Sequence, residues 1–168
     1  MSQATTTISM CKPSLTWSLV STAARMCQAL GYNRLSHVDP KADTLFERKV
    51  ILLWSIYVMD RNTSLRLGRA SSIQDYDIDT PMLKTSSKNP AIVALLSFWV
   101  ECGRLQGKIC TQLNGPAAAS LTPDERVRLA EGFADELEDI HQRKMKVSVW
   151  LILSDVCHLI LPCRPTRK

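Results

Sequence analysis

The sequence predicts an all-α protein with a buried central helix that is followed by an extended acidic arm. Apolar residues recur at helical spacing in four segments, over 15–30, 44–67, 91–112 and 123–145. Proline, glycine or asparagine stands at most of the segment boundaries, as expected of helix starts and stops. The β-branched residues within 50–59 are also compatible with a buried strand, but the length of the segment and its start signal favour a helix. We therefore expect no sheet of three or more strands.

The central helix is predicted from its start signal, its apolar surface and its stop signal. Thr44 and Glu47 have the spacing of a capping box. Between 50 and 59 only Ser55 is polar, and a helix that is apolar on nearly every side is typical of a buried element. The apolar run is too short to cross a bilayer. Gly68 is a suitable residue to end the helix, because the left-handed conformation is easiest without a Cβ atom.

The arm, residues 69–81, carries alternating acidic and apolar side chains. The alternation predicts that Tyr76 and Ile78 pack on one side while the aspartates point to the other. The aspartates Asp75, Asp77 and Asp79 resemble the start of a calcium loop. That loop needs glycine at its sixth position and glutamate at its twelfth, where this chain has Thr80 and Ser86. No metal site is therefore expected in the arm.

The same stretch resembles a known family in the order and spacing of its residues. The residues that match its pattern are Trp54, Tyr57, Asp60, Arg61, Leu67, Gly68, Arg69, Asp75, Asp77, Ile78, Asp79 and Pro81. In the first predicted helix and its stop, Trp17, Ala24, Arg25, Leu30 and Gly31 match as well. The pattern resembles the fungal-specific transcription factor domain, the regulatory region of fungal zinc-cluster transcription factors. The chain is interpreted as a fragment or shortened homologue of such a regulator.

The resemblance implies a nuclear regulatory domain that receives effector or co-regulator signals. Its expected partners are proteins, either full-length regulators or co-regulators. The family contacts DNA through a zinc cluster, and none of the six cysteines has the Cys-x-x-Cys spacing of such a site. We therefore expect no cofactor in this chain and DNA binding only through a zinc-cluster domain that it lacks. The net charge of +5 is mild and is weak evidence for nucleic-acid contact.

Enzymatic chemistry is not indicated by the sequence. The glycine motifs that bind nucleotides and the Gly-x-Ser-x-Gly nucleophile elbow are missing. The three histidines lie far apart in the sequence. Two other functions remain open beside the regulatory one. They are a truncated interaction module that modulates full-length relatives, and a small-molecule-sensing domain with a pocket lined by Trp54, Tyr57 and Trp99.

The predicted domain organisation has three parts. Residues 1–12 are a loose N-terminus without a signal peptide, 13–146 form the partial regulatory domain, and 147–168 form a divergent apolar tail. The tail is too short and too interrupted to be a membrane span.

Within the regulatory domain, two patterns predict packing. An apolar stripe on the first helix is expected in the core; it comprises Leu19, Ala23, Met26, Cys27 and Leu30. Gly103 and Gly107 are expected to allow a close helix contact within a soluble bundle. The acidic residues of the fourth helix are expected to form a solvated face.

Two further expectations concern charge and coverage. Asp60 follows directly on the apolar run, so its carboxylate should be desolvated and need a partner. Arg69 is the predicted partner, with Arg61 left to meet Asp77 or Asp79. A partial domain should also leave apolar surface uncovered, at the face of Trp17 or of Trp54.

Overall fold

The computed structural model describes residues 12–83 and 90–144, and this part of the chain is helical. It contains four α-helices, α1 (Pro13–Ala29), α2 (Phe46–Leu67), α3 (Pro90–Gln112) and α4 (Pro123–Lys144), with short 3₁₀ helices at Asp75–Asp77 and Pro116–Ser120. The described ranges contain no strand, so the all-α prediction is confirmed. None of these helices combines the length and apolarity needed to cross a bilayer. The apolar tail and all but the last residue of the N-terminal segment lie outside the described residues.

The central position of α2 arises from its contacts with helices on two sides. It packs against both α1 and α3, while α4 packs on α3. One core cluster joins α1, α2, α3 and Ile73 of the arm; its largest members include Leu53, Trp54 and Tyr57. A second cluster lies between α3 and α4, with Leu65 as the contribution of α2. The predicted burial of the central helix is confirmed for Val50, Leu53, Trp54 and Tyr57, whereas Leu52 of the same apolar run is 46% exposed.

The start of α2 differs from the prediction. The helix begins at Phe46, and no side chain caps it. The backbone N–H of Leu45 instead donates to the carboxylate of Asp43 at 2.9 Å, and Lys49 forms an ion pair with the same carboxylate at 2.7 Å. The predicted capping box of Thr44 and Glu47 is wrong because the turn around Asp43 moves the first helical residue beyond Thr44.

A capping box is present at the start of α4. The backbone N–H and the hydroxyl of Thr122 donate to the Glu125 carboxylate at 2.8 and 2.7 Å, and the Glu125 N–H donates back to the Thr122 hydroxyl at 3.3 Å. These bonds satisfy backbone donors that have no partner inside the helix. The bonds from Thr122 also lower the pKa of Glu125.

Thr122 and Thr44 provide a matched test of which helix start is capped by a threonine side chain. Replacing Thr122 with alanine is expected to lower the free energy of unfolding by about 1 kcal/mol, the usual cost of a lost helix cap. Replacing Thr44 with alanine should change it by less than about 0.5 kcal/mol, since no cap is lost there. Urea unfolding of both variants measures the difference. A larger effect at Thr44 would contradict the assigned start of α2.

The buried face of α1 is not the one predicted from its apolar stripe. The face that packs inward consists of small or short side chains: Thr16, Val20, Ser21, Ala24 and Cys27. Met26 and Leu30 are 62% and 64% exposed, and of the predicted stripe only Cys27 is buried. Both sets follow helical spacing, so periodicity alone does not decide between them. The small side chains face inward where α1 packs against α2, with Ala24 and Cys27 in the shared core cluster.

Candidate functional site: the seam between the central helix and the arm

The arm returns along α2 because the chain turns sharply at Gly68. This residue has φ 61° and ψ 31°, in the left-handed region where glycine is favoured. The backbone N–H of Arg69 donates to the carbonyl of Ser64 at 3.0 Å and closes the turn. The predicted helix stop is confirmed, and residues 69–81 then run back towards the start of α2.

The side chain of Asp60 holds the first part of the arm by accepting hydrogen bonds from the arm's backbone N–H groups. Its carboxylate oxygen Oδ2 accepts the N–H groups of Ser72 at 2.7 Å and Ile73 at 3.0 Å. Asp60 and Ile73 are both fully buried. Burial raises the pKa of the Asp60 carboxyl, while the two backbone bonds partly oppose that shift. Oδ2 of Asp60 thus accepts from the buried amide of Ile73 and the partly buried amide of Ser72, while Oδ1 is buried without a hydrogen-bond partner.

The predicted ion pair between Asp60 and Arg69 is wrong. The Arg69 guanidinium lies over the ring of Trp17, 4.7 Å from its centroid. The Asp60 carboxylate instead accepts two backbone amides of the arm, both through Oδ2. Sequence reasoning identified the need for a partner but not the path of the backbone that meets it.

Arg61 links the middle of the arm to α2. Its side chain is 5% exposed, and Nη2 forms an ion pair with Asp75 at 3.0 Å. Nη1 donates to the Ser71 hydroxyl at 2.9 Å. Tyr57 donates to the other Asp75 oxygen at 2.5 Å, and the Arg61 guanidinium lies 5.1 Å from the Tyr57 ring centroid. The predicted pairing of Arg61 with Asp77 or Asp79 is therefore wrong; Asp75 is the partner.

The glycine pair of α3 makes room for this network. A Cβ atom at Gly103 would lie 3.0 Å from Cε1 of Tyr57, and one at Gly107 would lie 2.7 Å from Nη1 of Arg61. Such distances are too short for unstrained contact. The prediction of close packing at both glycines is confirmed, and its partner is the polar side of α2.

The second half of the arm binds the loop that follows α1. Asp77 forms an ion pair with Arg34 at 2.7 Å and accepts hydrogen bonds from Gln28 and Asn33, each at 3.3 Å. The contact with Arg34 lowers the pKa of the Asp77 carboxyl. Asp79 accepts the Ser36 hydroxyl at 2.9 Å. All three arm aspartates thus have partners within the domain.

Asn33 and Thr80 complete the docking of the arm, and sequence reasoning missed both. The carbonyl of Asn33 accepts the N–H groups of Asp79 and Thr80 at 3.0 and 3.3 Å. The Thr80 hydroxyl donates to the Tyr32 carbonyl at 2.6 Å and accepts the Leu35 N–H at 3.1 Å. Both residues are buried polar groups, but only the fold brings their distant segments together. No sequence spacing reveals this contact.

Two other expectations about the arm and its surroundings are not met. Residues 75–77 form a 3₁₀ turn, so Tyr76 is 90% exposed while Asp75 faces α2. The predicted alternation is therefore wrong for Tyr76 and holds for Ile78, which packs on the core.

The second expectation was a pocket lined by Trp54, Tyr57 and Trp99. Trp54 is buried and its Nε1 donates to the Pro81 carbonyl at 3.5 Å. Trp99 belongs to the second core cluster and does not join Trp54 and Tyr57.

The described residues do not form a metal centre. No three of their His, Cys, Asp and Glu side chains are grouped so that they could hold an ion. Burial raises the pKa values of the Cys27 and Cys102 thiols, the latter to about 12. Thiols of this kind are inert and packed rather than metal-binding. The cysteines of the described part therefore do not fit the zinc cluster of the resembled family.

The helix and arm match a known family. The sequence profile described as "Fungal specific transcription factor domain" matches residues 4–93. The chain belongs to this fungal transcription factor family. The family match contains α1, α2, the whole arm and the first residues of α3. The seam between α2 and the arm therefore lies entirely within the family domain, whereas α4 lies outside it.

Curated relatives of this family member are fungal proteins. The chain is 25% identical over 136 residues to the negative regulator of pleiotropic drug resistance STB5 of Candida glabrata, and 26% identical over 141 residues to Protein STB5 of Saccharomyces cerevisiae. It is 37% identical over 68 residues to the uncharacterized transcriptional regulatory protein C530.05 of Schizosaccharomyces pombe. These matches cover 76%, 79% and 40% of the chain. No solved structure matches it.

The chain is much shorter than these relatives. The matched regions amount to 13%, 19% and 9% of their lengths. The similarity therefore concerns one part of each relative and supports a role in transcription regulation for the shared domain.

Proposed function

We propose that this chain is the regulatory portion of a fungal zinc-cluster transcription factor and that it does not itself contact DNA. The observation that carries the proposal is the family match across α1, α2 and the arm, the elements that form the seam. Two of the relatives named above are called regulators. A nuclear location and protein partners follow from the same proposal.

The chemistry of the seam supports regulation rather than catalysis. Its charged groups are used within the fold: Arg61 pairs with Asp75, Arg34 with Asp77, and Asp60 with backbone amides. Such a network fixes the position of the arm, because each of these charges has a partner inside the domain. Zinc would belong to a DNA-binding domain outside the described part of the chain, whose cysteines do not fit a cluster.

A reporter assay tests the proposed function. The chain is fused between a heterologous DNA-binding domain and an activation domain in yeast, and reporter output is compared with a fusion that carries an inert helical domain of similar length. We expect output to change severalfold, because the domain restrains or permits activation. Gly107→Leu, which disrupts the seam, should abolish the change.

Two results would contradict the proposal. Equal output from the chain and from the inert domain would exclude a regulatory effect. Sequence-specific DNA binding by the isolated chain in a gel-shift assay would contradict the view that this portion does not contact DNA.

The interaction-module function is also favoured by an observation. Met26 of α1 and Leu52 of α2 are large apolar side chains that are 62% and 46% exposed. Pulldown of a full-length regulator by the chain, lost when these two residues are made polar, would favour a shortened modulator over a fragment. For the small-molecule sensor, no comparable observation exists, since Trp54 and Tyr57 are packed in the core.

A further inference from the structure

Uncovered apolar surface was expected at the face of Trp17 or of Trp54, and the structure shows neither. Trp54 is buried, and the Arg69 guanidinium lies over the Trp17 ring, 4.7 Å from its centroid. Arg69 and the following Ala70 are themselves exposed. The start of the arm is therefore an accessible part of the seam.

Ser72, just beyond this accessible start, is bound to a buried carboxyl group. Its backbone N–H donates to Oδ2 of Asp60 at 2.7 Å, and its hydroxyl interacts with the same carboxylate. Ser72 is half-buried, whereas Asp60 is fully buried. The docked position of the arm thus places a serine hydroxyl beside an acidic group inside the fold.

The chain around Ser72 has the features of a segment that a modifying enzyme can reach. Residues 69–74 form neither helix nor strand, and Gly68, Arg69 and Ala70 are exposed. An irregular surface segment is released by breaking the few bonds that dock it, without unfolding a helix. Arg69 stands three positions before Ser72. Charged residues close to the modified one are what protein kinases read in their substrates.

We propose that Ser72 is phosphorylated by a kinase that recognises basic residues, and that the phosphate releases the arm from α2. The γ-phosphoryl group of ATP passes to the Ser72 hydroxyl. A bond forms between Oγ and phosphorus, the bond from phosphorus to the ADP oxygen breaks, and the hydroxyl proton passes to the base of the kinase. The proposal adds a regulatory input to the proposed function and rests on that function only for its biological role.

A phosphate on Ser72 is incompatible with the docked arm because of the charges around it. The group carries about two negative charges at neutral pH. Oδ2 of Asp60 already accepts two amides, and Oδ1 is buried without a hydrogen-bond partner. Arg61 is bound to Asp75 and to the Ser71 hydroxyl, so its charge is already in use. Repulsion and the loss of phosphate hydration therefore both favour the undocked arm.

Ser71 provides an internal comparison, because its surroundings have the opposite charge. Its hydroxyl accepts Nη1 of the buried Arg61 at 2.9 Å. A phosphate there would meet a cation and gain a charge-assisted hydrogen bond. Arg69 lies only two positions before Ser71, which is a different spacing from that to Ser72. The structure thus assigns the releasing role to Ser72.

Phosphorylation of the purified full chain tests the site. The chain is incubated with the catalytic subunit of cAMP-dependent protein kinase, magnesium and ATP, and the modified residue is located by fragmentation mass spectrometry. We expect phosphate on Ser72. Ser72→Ala should remove this modification, and Ser71→Ala should leave it unchanged. Arg69→Gln should lower the rate of modification at least about tenfold, because the kinase loses the charge that it reads.

Hydrogen exchange of the modified chain tests the release of the arm. The Ile73 amide is protected in the docked arm by its bond to Asp60. We expect it to exchange at least about tenfold faster in the chain phosphorylated on Ser72, while the amides of α4 keep their rates. Chain treated with the kinase but without ATP is the control. In Asp60→Asn, phosphorylation should accelerate exchange by a smaller factor, since one of the two repelling charges is gone.

Four outcomes would overturn the proposal. They are no phosphate on Ser72, faster modification of Ser71 than of Ser72, unchanged Ile73 exchange in the phosphorylated chain, and equal acceleration in the parent and in Asp60→Asn. A change of reporter output by the chain without phosphorylation of Ser72 would leave the regulatory function intact and refute only this site.

Discussion

Replacing Asp60 with alanine is expected to lower the free energy of unfolding by about 3 kcal/mol, because the buried amide of Ile73 and the partly buried amide of Ser72 lose their acceptor. The amides of Ser72 and Ile73 donate to one oxygen of this carboxylate. Asp60→Asn keeps an acceptor oxygen for the two amides but buries its NH₂ group where Oδ1 has no partner, so it should cost less than the alanine variant without being neutral. Denaturant unfolding of both variants measures the effect. Similar losses in the two variants would contradict the acceptor role.

The difference in stability between the parent chain and Asp60→Asn should depend on pH, and the direction of the pKa shift fixes its sign. Burial raises the folded-state pKa of Asp60 above its unfolded value. At pH values between these two pKa values, the folded state therefore binds more protons than the unfolded state. The contribution of Asp60 to stability is therefore fully present below the ordinary aspartate pKa and is lost as pH rises through the folded value. The stability of the parent chain relative to Asp60→Asn should fall as pH is raised through this range. A rising difference would contradict the direction of the shift.

Replacing Gly107 with leucine is expected to destabilise the chain by about 3 kcal/mol or more, through overpacking. The first added atom would lie 2.7 Å from Arg61, whose guanidinium is buried and bound to Ser71 and Asp75. Arg61 therefore has no free direction in which to move without losing these bonds. Thermal and denaturant unfolding measure the loss.

Gly132 of α4 provides the matched control for this substitution. A Cβ atom there would meet nothing within 4 Å, and the residue is exposed. Gly132→Leu should stabilise the chain by about 0.5–1 kcal/mol through helix propensity. Equal effects of leucine at the two glycines would show that α3 does not approach α2 as closely as described.

These contacts show which parts of the fold were accessible from the sequence. The helices, the stop at Gly68 and the close approach at Gly103 and Gly107 depend on local spacing, and they were predicted correctly. The burial of Asp60 was also predicted, since it follows an apolar run. Its partners were not, because they depend on where the turn places the backbone.

The buried face of α1 was missed for a different reason. Two stripes on this helix have helical spacing, and the more apolar one, with Met26 and Leu30, is exposed. Burial instead follows the space available: Ser21 and Ala24 are small and face inward, and Ala24 joins the core cluster with α2. A periodicity argument weighs hydrophobicity but not the distance between elements. The docking of Thr80 on Asn33 was inaccessible for a related reason, since it joins distant segments.

The contacts that dock the arm join residues far apart in the sequence, and this separation sets an order for folding. The bonds of Asp77 and Thr80 to the loop after α1 join residues 43 to 48 positions apart. Closing a loop of that length costs entropy before any bond is gained, and pairing of α1 with α2 removes most of that cost in advance. We therefore expect the arm to dock last within the family domain. In a pulse-labelled exchange experiment, the amides of Asp79 and Thr80 would gain protection after those of the two helices.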